Sequence, residues 1–261
     1  MLLKNKTAVI YGAAGAVGGA VARGFAREGA RVFLAGRTQA TLDIVAKDII
    51  SEGGQAETAL VDAMDAQAIE RHLADIVKSA GRVDISFNLI GLEDEQGTPL
   101  IDMAQESFAR PIMRAITTQF LTATAAARQM AKQGSGVILA LTAQVARRPL
   151  AHVGGFGVSG AAIEDFCRQL AAEVGPQGIR VVCLRSAGSP ESPGLDEVLR
   201  DFAQKIGATR EAIEASMADD TMLKRLPKLT EVANAAALMA SDYASAVTAE
   251  ITNVTCGAVA D

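Results

Sequence analysis

Seven short apolar runs, TAVIYG, RVFLAG, ETALVD, DISFNLIG, GVILALT, IRVVCLR and EITNVT, recur along the chain, each parted from the next by a stretch with helical periodicity. Strands alternating with helices predict a three-layer, doubly wound α/β fold, a seven-stranded parallel sheet covered by helices on both faces. The longest helical signal follows the fifth run, with Ile163, Phe166, Leu170 and Val174 on one stripe and Glu164, Arg168 and Glu173 off it. It should stop at Gly175-Pro176, because proline cannot continue the hydrogen-bond ladder. With 261 residues, 49% of them apolar, one large core can be buried, so a single domain over 1–261 is expected.

The rhythm breaks between 188 and 220, which opens with Ser189-Pro190-Glu191-Ser192-Pro193-Gly194 and continues as a polar, helical excursion. An excursion at the carboxyl ends of strands reads as a substrate lid or as plain surface. A net charge of -5 with dispersed Lys and Arg argues against nucleic acid as a partner. No apolar segment approaches the length of a membrane span. Cys167, Cys183 and Cys256 lie far apart without a C-x-x-C pair, so neither a metal site nor a disulfide framework is suggested, and a cytoplasmic location is the default expectation.

Directly after the first strand stands Gly12-Ala13-Ala14-Gly15-Ala16-Val17-Gly18-Gly19, running into a helix. Glycines between a first strand and a first helix allow a tight turn and let backbone N–H groups approach a pyrophosphate at the positive helix end. Gly12, Ala14, Gly15, Ala16, Val17 and Gly18 are therefore candidate dinucleotide contacts. The second strand ends at Arg37-Thr38, and no Asp or Glu occurs between Arg31 and Leu42, where a carboxylate would hold a ribose 2′-hydroxyl. A guanidinium there suits a 2′-phosphate, which points to NADP(H); a solvated surface arginine is the alternative.

The glycine turn, Asp62 after the third strand, Phe87-Asn88-Leu89-Ile90-Gly91, Gly178-Ile179-Arg180-Val181 and the ending from Leu226-Pro227 through Glu231-Val232-Ala233 to Ser241-Asp242 together resemble the short-chain dehydrogenase/reductase family over nearly the whole chain. The resemblance implies a Rossmann fold, a nicotinamide cofactor and a homotetramer built through the helices after strands four and five. It also implies that Asp62 and Ala63 border the adenine, while Asn88 and Ile90 line the ribose and support the sheet. The alternative for Asp62 is a helix cap. The family's usual spacing puts a glycine at Ala16, whereas this chain has it at Gly15.

Members of this family use a tyrosine to pass the proton, a lysine to lower its pKa, a serine to polarise the substrate oxygen and an asparagine to support a water relay. Charge develops on that oxygen, so a positioned acid is needed. Setting Phe156 to Ile163 against the family's Y-x-x-S-K-A-A-L puts Phe156 at the tyrosine and Gly160 at the lysine; the serine position falls on Ala143 and the asparagine on Ala115. The tyrosines are Tyr11 and Tyr243, and no lysine lies between Lys132 and Lys205, so no change of register restores the pair.

Thr142 and His152 are the candidate replacements: a hydroxyl at the end of the fifth strand and an imidazole, a side-chain type able to donate a proton. Their plainer readings are a hydroxyl bonded to nearby backbone and an exposed loop histidine. Arg147 and Arg148 read as a solvated pair or as partners of an anion, and Cys167 as a core residue. Two functions stay open. One is an NADP(H)-dependent oxidoreductase acting on an unknown small molecule by a route that bypasses the tyrosine and lysine, with reduction of a polarised C=C bond more compatible with this than ordinary ketone reduction. The other is a catalytically inactive dinucleotide-binding sensor or scaffold subunit.

Overall fold

The computed structural model describes residues 1–260. Seven strands, β1 (Thr7–Tyr11), β2 (Arg31–Gly36), β3 (Gln55–Leu60), β4 (Ile85–Asn88), β5 (Gly136–Ala143), β6 (Ile179–Ser186) and β7 (Glu250–Val254), form one sheet in the order β3-β2-β1-β4-β5-β6-β7. Every pairing is parallel. The order reverses between β1 and β4, and a crevice for a ligand opens at such a switch point, outside the carboxyl ends of the strands.

Helices α1 (Ala16–Arg27), α2 (Gln39–Ser51), α3 (Ala66–Ala80), α4 (Gln105–Gln133) and α5 (Gly155–Val174) follow the first five strands, and α6 (Pro193–Ile206), α7 (Arg210–Asp219) and α8 (Leu229–Ala240) follow β6. Because the central strands are buried on both faces, two cores form. One packs Val9, Phe33, Ile138 and Val181 under α3, α4 and α5 through Leu73, Ala126 and Leu170. The other packs Ala8, Ile10, Leu34 and Leu139 under α1, α2 and α8 through Phe25, Val45 and Ala236.

Helix ends follow local chemistry. Asp65 caps α3 by accepting hydrogen bonds from the amides of Gln67 and Ala68, and Gly81 and Gly134 close α3 and α4 in the left-handed conformation that glycine adopts without strain. The α5 stripe of Ile163, Leu170 and Val174 is buried as its spacing predicts, and α5 stops at Val174 before Gly175-Pro176. Glu164, expected off the stripe, is instead only 4% exposed. The 188–220 excursion consists largely of α6 and α7, bracketed by Gly188 at φ +86°. Among the described residues no helix is long and apolar enough to cross a membrane.

Candidate functional site

The first helix begins bare. Gly15 occupies its N-cap without a side-chain hydrogen bond, and no acidic residue lies in its first turn. The first-turn amides of Ala16, Val17 and Gly18 have no intrahelical partner, so they and the positive end of the helix dipole are available to an anion. Glycine is required at two positions for different reasons. A Cβ on Gly12 (φ +76°) would strike the Leu89 carbonyl at the end of β4, and one on Gly18 would strike the Gly12 carbonyl. These contacts press the turn against the switch point while Ala14 and Gly15 stay exposed. The residues present therefore fit a dinucleotide's diphosphate.

Around this turn the strand ends supply the other predicted contacts. Arg37 and Thr38 are exposed beyond β2, and Thr38 is the N-cap position of α2 without a cap bond from its hydroxyl. Asp62 is exposed and accepts from the Met64 amide at 2.9 Å, a local turn; the helix cap is Asp65 three residues later, which corrects the capping alternative for Asp62. Ala63 is only 3% exposed, so its side chain belongs to the core and only its backbone can border a ligand. Asn88 spends its side chain inside, donating to Thr122 Oγ1 at 3.2 Å and accepting from the Ile90 amide at 3.0 Å. It supports the sheet, and half-buried Ile90 is left beside the crevice.

At the carboxyl ends of β5 and β6 lies a buried charge cluster. Arg185 on β6 forks onto Glu164 of α5 through Nε at 2.8 Å and Nη2 at 2.8 Å, and Thr142 donates to the same carboxylate at 2.9 Å. The Thr142 hydroxyl is thus engaged inside the protein, by Glu164 at 2.9 Å and by the Leu184 carbonyl at 3.5 Å, in line with its plainer reading as a locally bonded hydroxyl, with a side chain as the nearer partner. The cluster was missed in sequence. Its signal was an arginine inside an apolar strand, which cannot be buried without a carboxylate to receive it. Cys167 and Cys183 lie beside it; their mutual hydrogen bond, with burial, holds the Cys167 thiol well above its usual pKa and so inert.

Of the four positions that the family resemblance sets at the catalytic groups, Ala143 follows Thr142 on β5 and Gly160 packs toward Thr142. Ala115 is buried on α4, Ala143 ends β5, and Phe156 is half-buried in the first turn of α5. At Gly160 a Cβ would come 2.9 Å from the Ala146 Cβ, on the short 3-10 turn that follows β5. α5 is drawn in further at its start, where a Cβ on Gly155 would strike the Phe108 carbonyl of α4 and one on Gly157 would come 3.1 Å from the Val145 carbonyl.

His152 sits half-buried in the preceding loop at φ +64°, a conformation costly for a side chain with a Cβ, and its ring lies 6.3 Å from that of Phe202 on α6. Its Nδ1 is buried without a hydrogen-bond partner. The Gly97 amide donates to its carbonyl at 2.6 Å, and Lys205 of α6 donates to the Gln96 carbonyl at 2.6 Å. Hydrogen bonds from Ser107 and Thr98 hold the nearby Glu95 carboxyl below its usual range. Arg148 pairs with Asp220 at 2.9 Å, so it is not merely solvated, while Arg147 is exposed. Three segments distant in sequence, 95–99, 148–154 and the α6–α7 excursion, are thereby tied over the end of β5.

Residues 12–259 match a family model described as enoyl-(acyl carrier protein) reductase. The chain is 31% identical over 248 residues, 95% of its length and 89% of the relative's, to a Bacillus subtilis (strain 168) protein called uncharacterized oxidoreductase YxbG. Among solved structures, 7α-hydroxysteroid dehydrogenase complexed with NADH and 7-oxo glycochenodeoxycholic acid superposes with a TM-score of 0.84 at 29% identity, covering 99% of this chain and 96% of that one. Actinorhodin polyketide ketoreductase with NADPH superposes with a TM-score of 0.89 at 24% identity, covering 97% of each, a likeness of fold.

Proposed function

The chain belongs to the short-chain dehydrogenase/reductase family of oxidoreductases, and from that premise we propose an NADP(H)-dependent oxidoreductase that acts on a small molecule without the family's tyrosine and lysine. One observation carries the cofactor reading: the uncapped, acid-free start of α1 and exposed Arg37 follow the carboxyl ends of the adjacent strands β1 and β2. Gly12, Ala14, Gly15, Ala16, Val17 and Gly18 would hold the diphosphate, Arg37 and Thr38 the 2′-phosphate, Asp62 and the Ala63 backbone the adenine, and Ile90 the ribose, with Asn88 bracing β4. When bound, the nicotinamide supplies or accepts a hydride.

The chain's own residues must manage the proton. On the reading that sets Ala115, Ala143, Phe156 and Gly160 at the family's catalytic positions, none of the four can act as the acid. Reduction of a C=C bond conjugated to a carbonyl tolerates this, because the negative charge left on the substrate is delocalised and can be protonated by water. The matched family model's description, an enoyl reductase, is consistent with that chemistry. His152, with its unpartnered Nδ1, is the candidate side-chain donor. The 188–220 segment acts as the substrate lid, a role supported by its ties through Lys205 and Arg148.

The close packing of Gly160 against Ala146 favours a second reading, an inactive dinucleotide-binding sensor or scaffold subunit, since it leaves no room for a side chain at the lysine position. Under either reading we expect a cytoplasmic homotetramer, supported by exposed Met113 and Phe120 on α4 and Val158 on α5. Fluorescence titration of NADPH and NADH into wild type and Arg37→Glu tests the cofactor assignment. Tight NADPH binding that Arg37→Glu weakens is expected, followed by loss of NADPH fluorescence with an enone. Binding without turnover of enones or imines selects the sensor reading, and binding of neither nucleotide overturns both.

A further inference from the structure

Beyond β4 the backbone turns through Glu93, whose φ of +57° is one that non-glycine residues rarely adopt. There a single carboxylate oxygen, Glu93 Oε1, faces two guanidinium groups from different elements. Arg37 Nη2 after β2 lies 3.5 Å away, and Arg114 Nη2 of α4 lies 3.1 Å away. Arg114 is fixed by a second bond, donating from Nε to the Gly91 carbonyl at 2.8 Å, and its side chain is only 17% exposed, against 62% for Arg37 and 53% for Glu93. An oxygen anion shared by two forks is the arrangement a phosphate oxygen takes between arginines. Glu93 and Arg37 both sit on exposed residues between elements, whereas Arg114 is seated on a long helix.

We propose that Arg114 is a second cation for the cofactor's 2′-phosphate and that Glu93 is an internal stand-in, which the phosphate displaces from between Arg37 and Arg114. This rests on the NADP(H) reading above. The dianion entering carries more charge than the carboxylate leaving, so exchange is favourable, yet each binding event must first break the Glu93 contacts. The clasp weakens NADPH binding by the strength of those contacts and leaves NADH, which has no group to place there, nearly indifferent to them. Glu93 thereby sets how strongly the chain discriminates between the two cofactors.

The test is titration of NADPH, NADH, adenosine 2′,5′-bisphosphate and AMP into wild type, Glu93→Gln, Arg114→Gln and Arg114→Lys, with circular dichroism to check that each is folded. Glu93→Gln is nearly isosteric and should tighten NADPH and the bisphosphate by roughly three- to fivefold, the size expected for exposed charge pairs, while leaving NADH and AMP unchanged. Arg114→Gln should weaken the two phosphorylated ligands selectively, and Arg114→Lys should recover part of the loss. If wild type binds NADPH and Arg37→Glu weakens it, but Glu93→Gln shifts both nucleotides equally or neither, the clasp is overturned while the cofactor assignment stands. If wild type binds neither nucleotide, both fall.

Discussion

Adding one methyl group at Gly160 measures how completely the site is closed. In an isolated helix, glycine to alanine stabilises by about 1 kcal/mol, because glycine loses more backbone freedom on folding. Here the new Cβ would stand 2.9 Å from the Ala146 Cβ, well inside the ordinary carbon contact of about 3.5–4.0 Å. Forcing the 3-10 turn off α5 to make room should cost about 1–3 kcal/mol, so Gly160→Ala alone is expected to be neutral to destabilising by about 2 kcal/mol once the helix gain is subtracted.

Replacing Ala146 with glycine removes the obstructing methyl group. The next neighbours of the added Cβ are then the Ala146 Cα at 3.6 Å and the Thr142 Cβ at 3.8 Å, ordinary contacts. In the Ala146→Gly background Gly160→Ala should therefore stabilise, giving a coupling of about 1–3 kcal/mol in a double-mutant cycle read by urea unfolding. Additivity to within about 0.5 kcal/mol would refute the closure. A lysine carries the same Cβ, so Phe156→Tyr with Gly160→Lys should not create a carbonyl reductase unless Ala146→Gly accompanies it.

Glu164→Gln should destabilise by roughly 2–4 kcal/mol, because the Arg185 guanidinium loses a charged partner in a buried setting; denaturant unfolding checks this, and Glu164→Leu with Arg185→Met should recover much of the loss. Burial pushes the His72 pKa down to about 4 despite the opposing charge of Asp75. The unfolded chain, titrating near the ordinary value of 6.5, binds more protons between the two values. Stability should therefore fall as pH drops from about 6.5 to about 4, by up to about 3 kcal/mol, and His72→Leu should flatten that window in thermal melts at a series of pH values.

The strand rhythm was legible because each central strand is buried on both faces and so reads as an unbroken apolar run. All seven runs hold strands, and the family resemblance rested on the glycine turn together with pieces of β4, β6 and the C-terminal helix. The glycine turn was legible for a related reason: Gly12 and Gly18 answer to backbone contacts inside one βα unit. What stayed hidden depends on meetings between distant segments. Helical periodicity sorted Glu164 by its polarity and placed it outward, because its partner lies 21 residues away on β6. The Glu164 partner of Thr142 was hidden for the same reason. Glu93 gave no sign, since Arg37 and Arg114 reach it from other elements.

The Glu164 and Arg185 pair also restricts how this sequence can drift. Either charge exchanged alone would take a buried ion-pair partner from the other, so each single step passes through a destabilised chain. The two positions should therefore change together or not at all. Among close relatives, an apolar residue at 164 should be accompanied by an uncharged one at 185, which makes the pair a marker of descent for chains that rebuilt this end of the sheet in the same way.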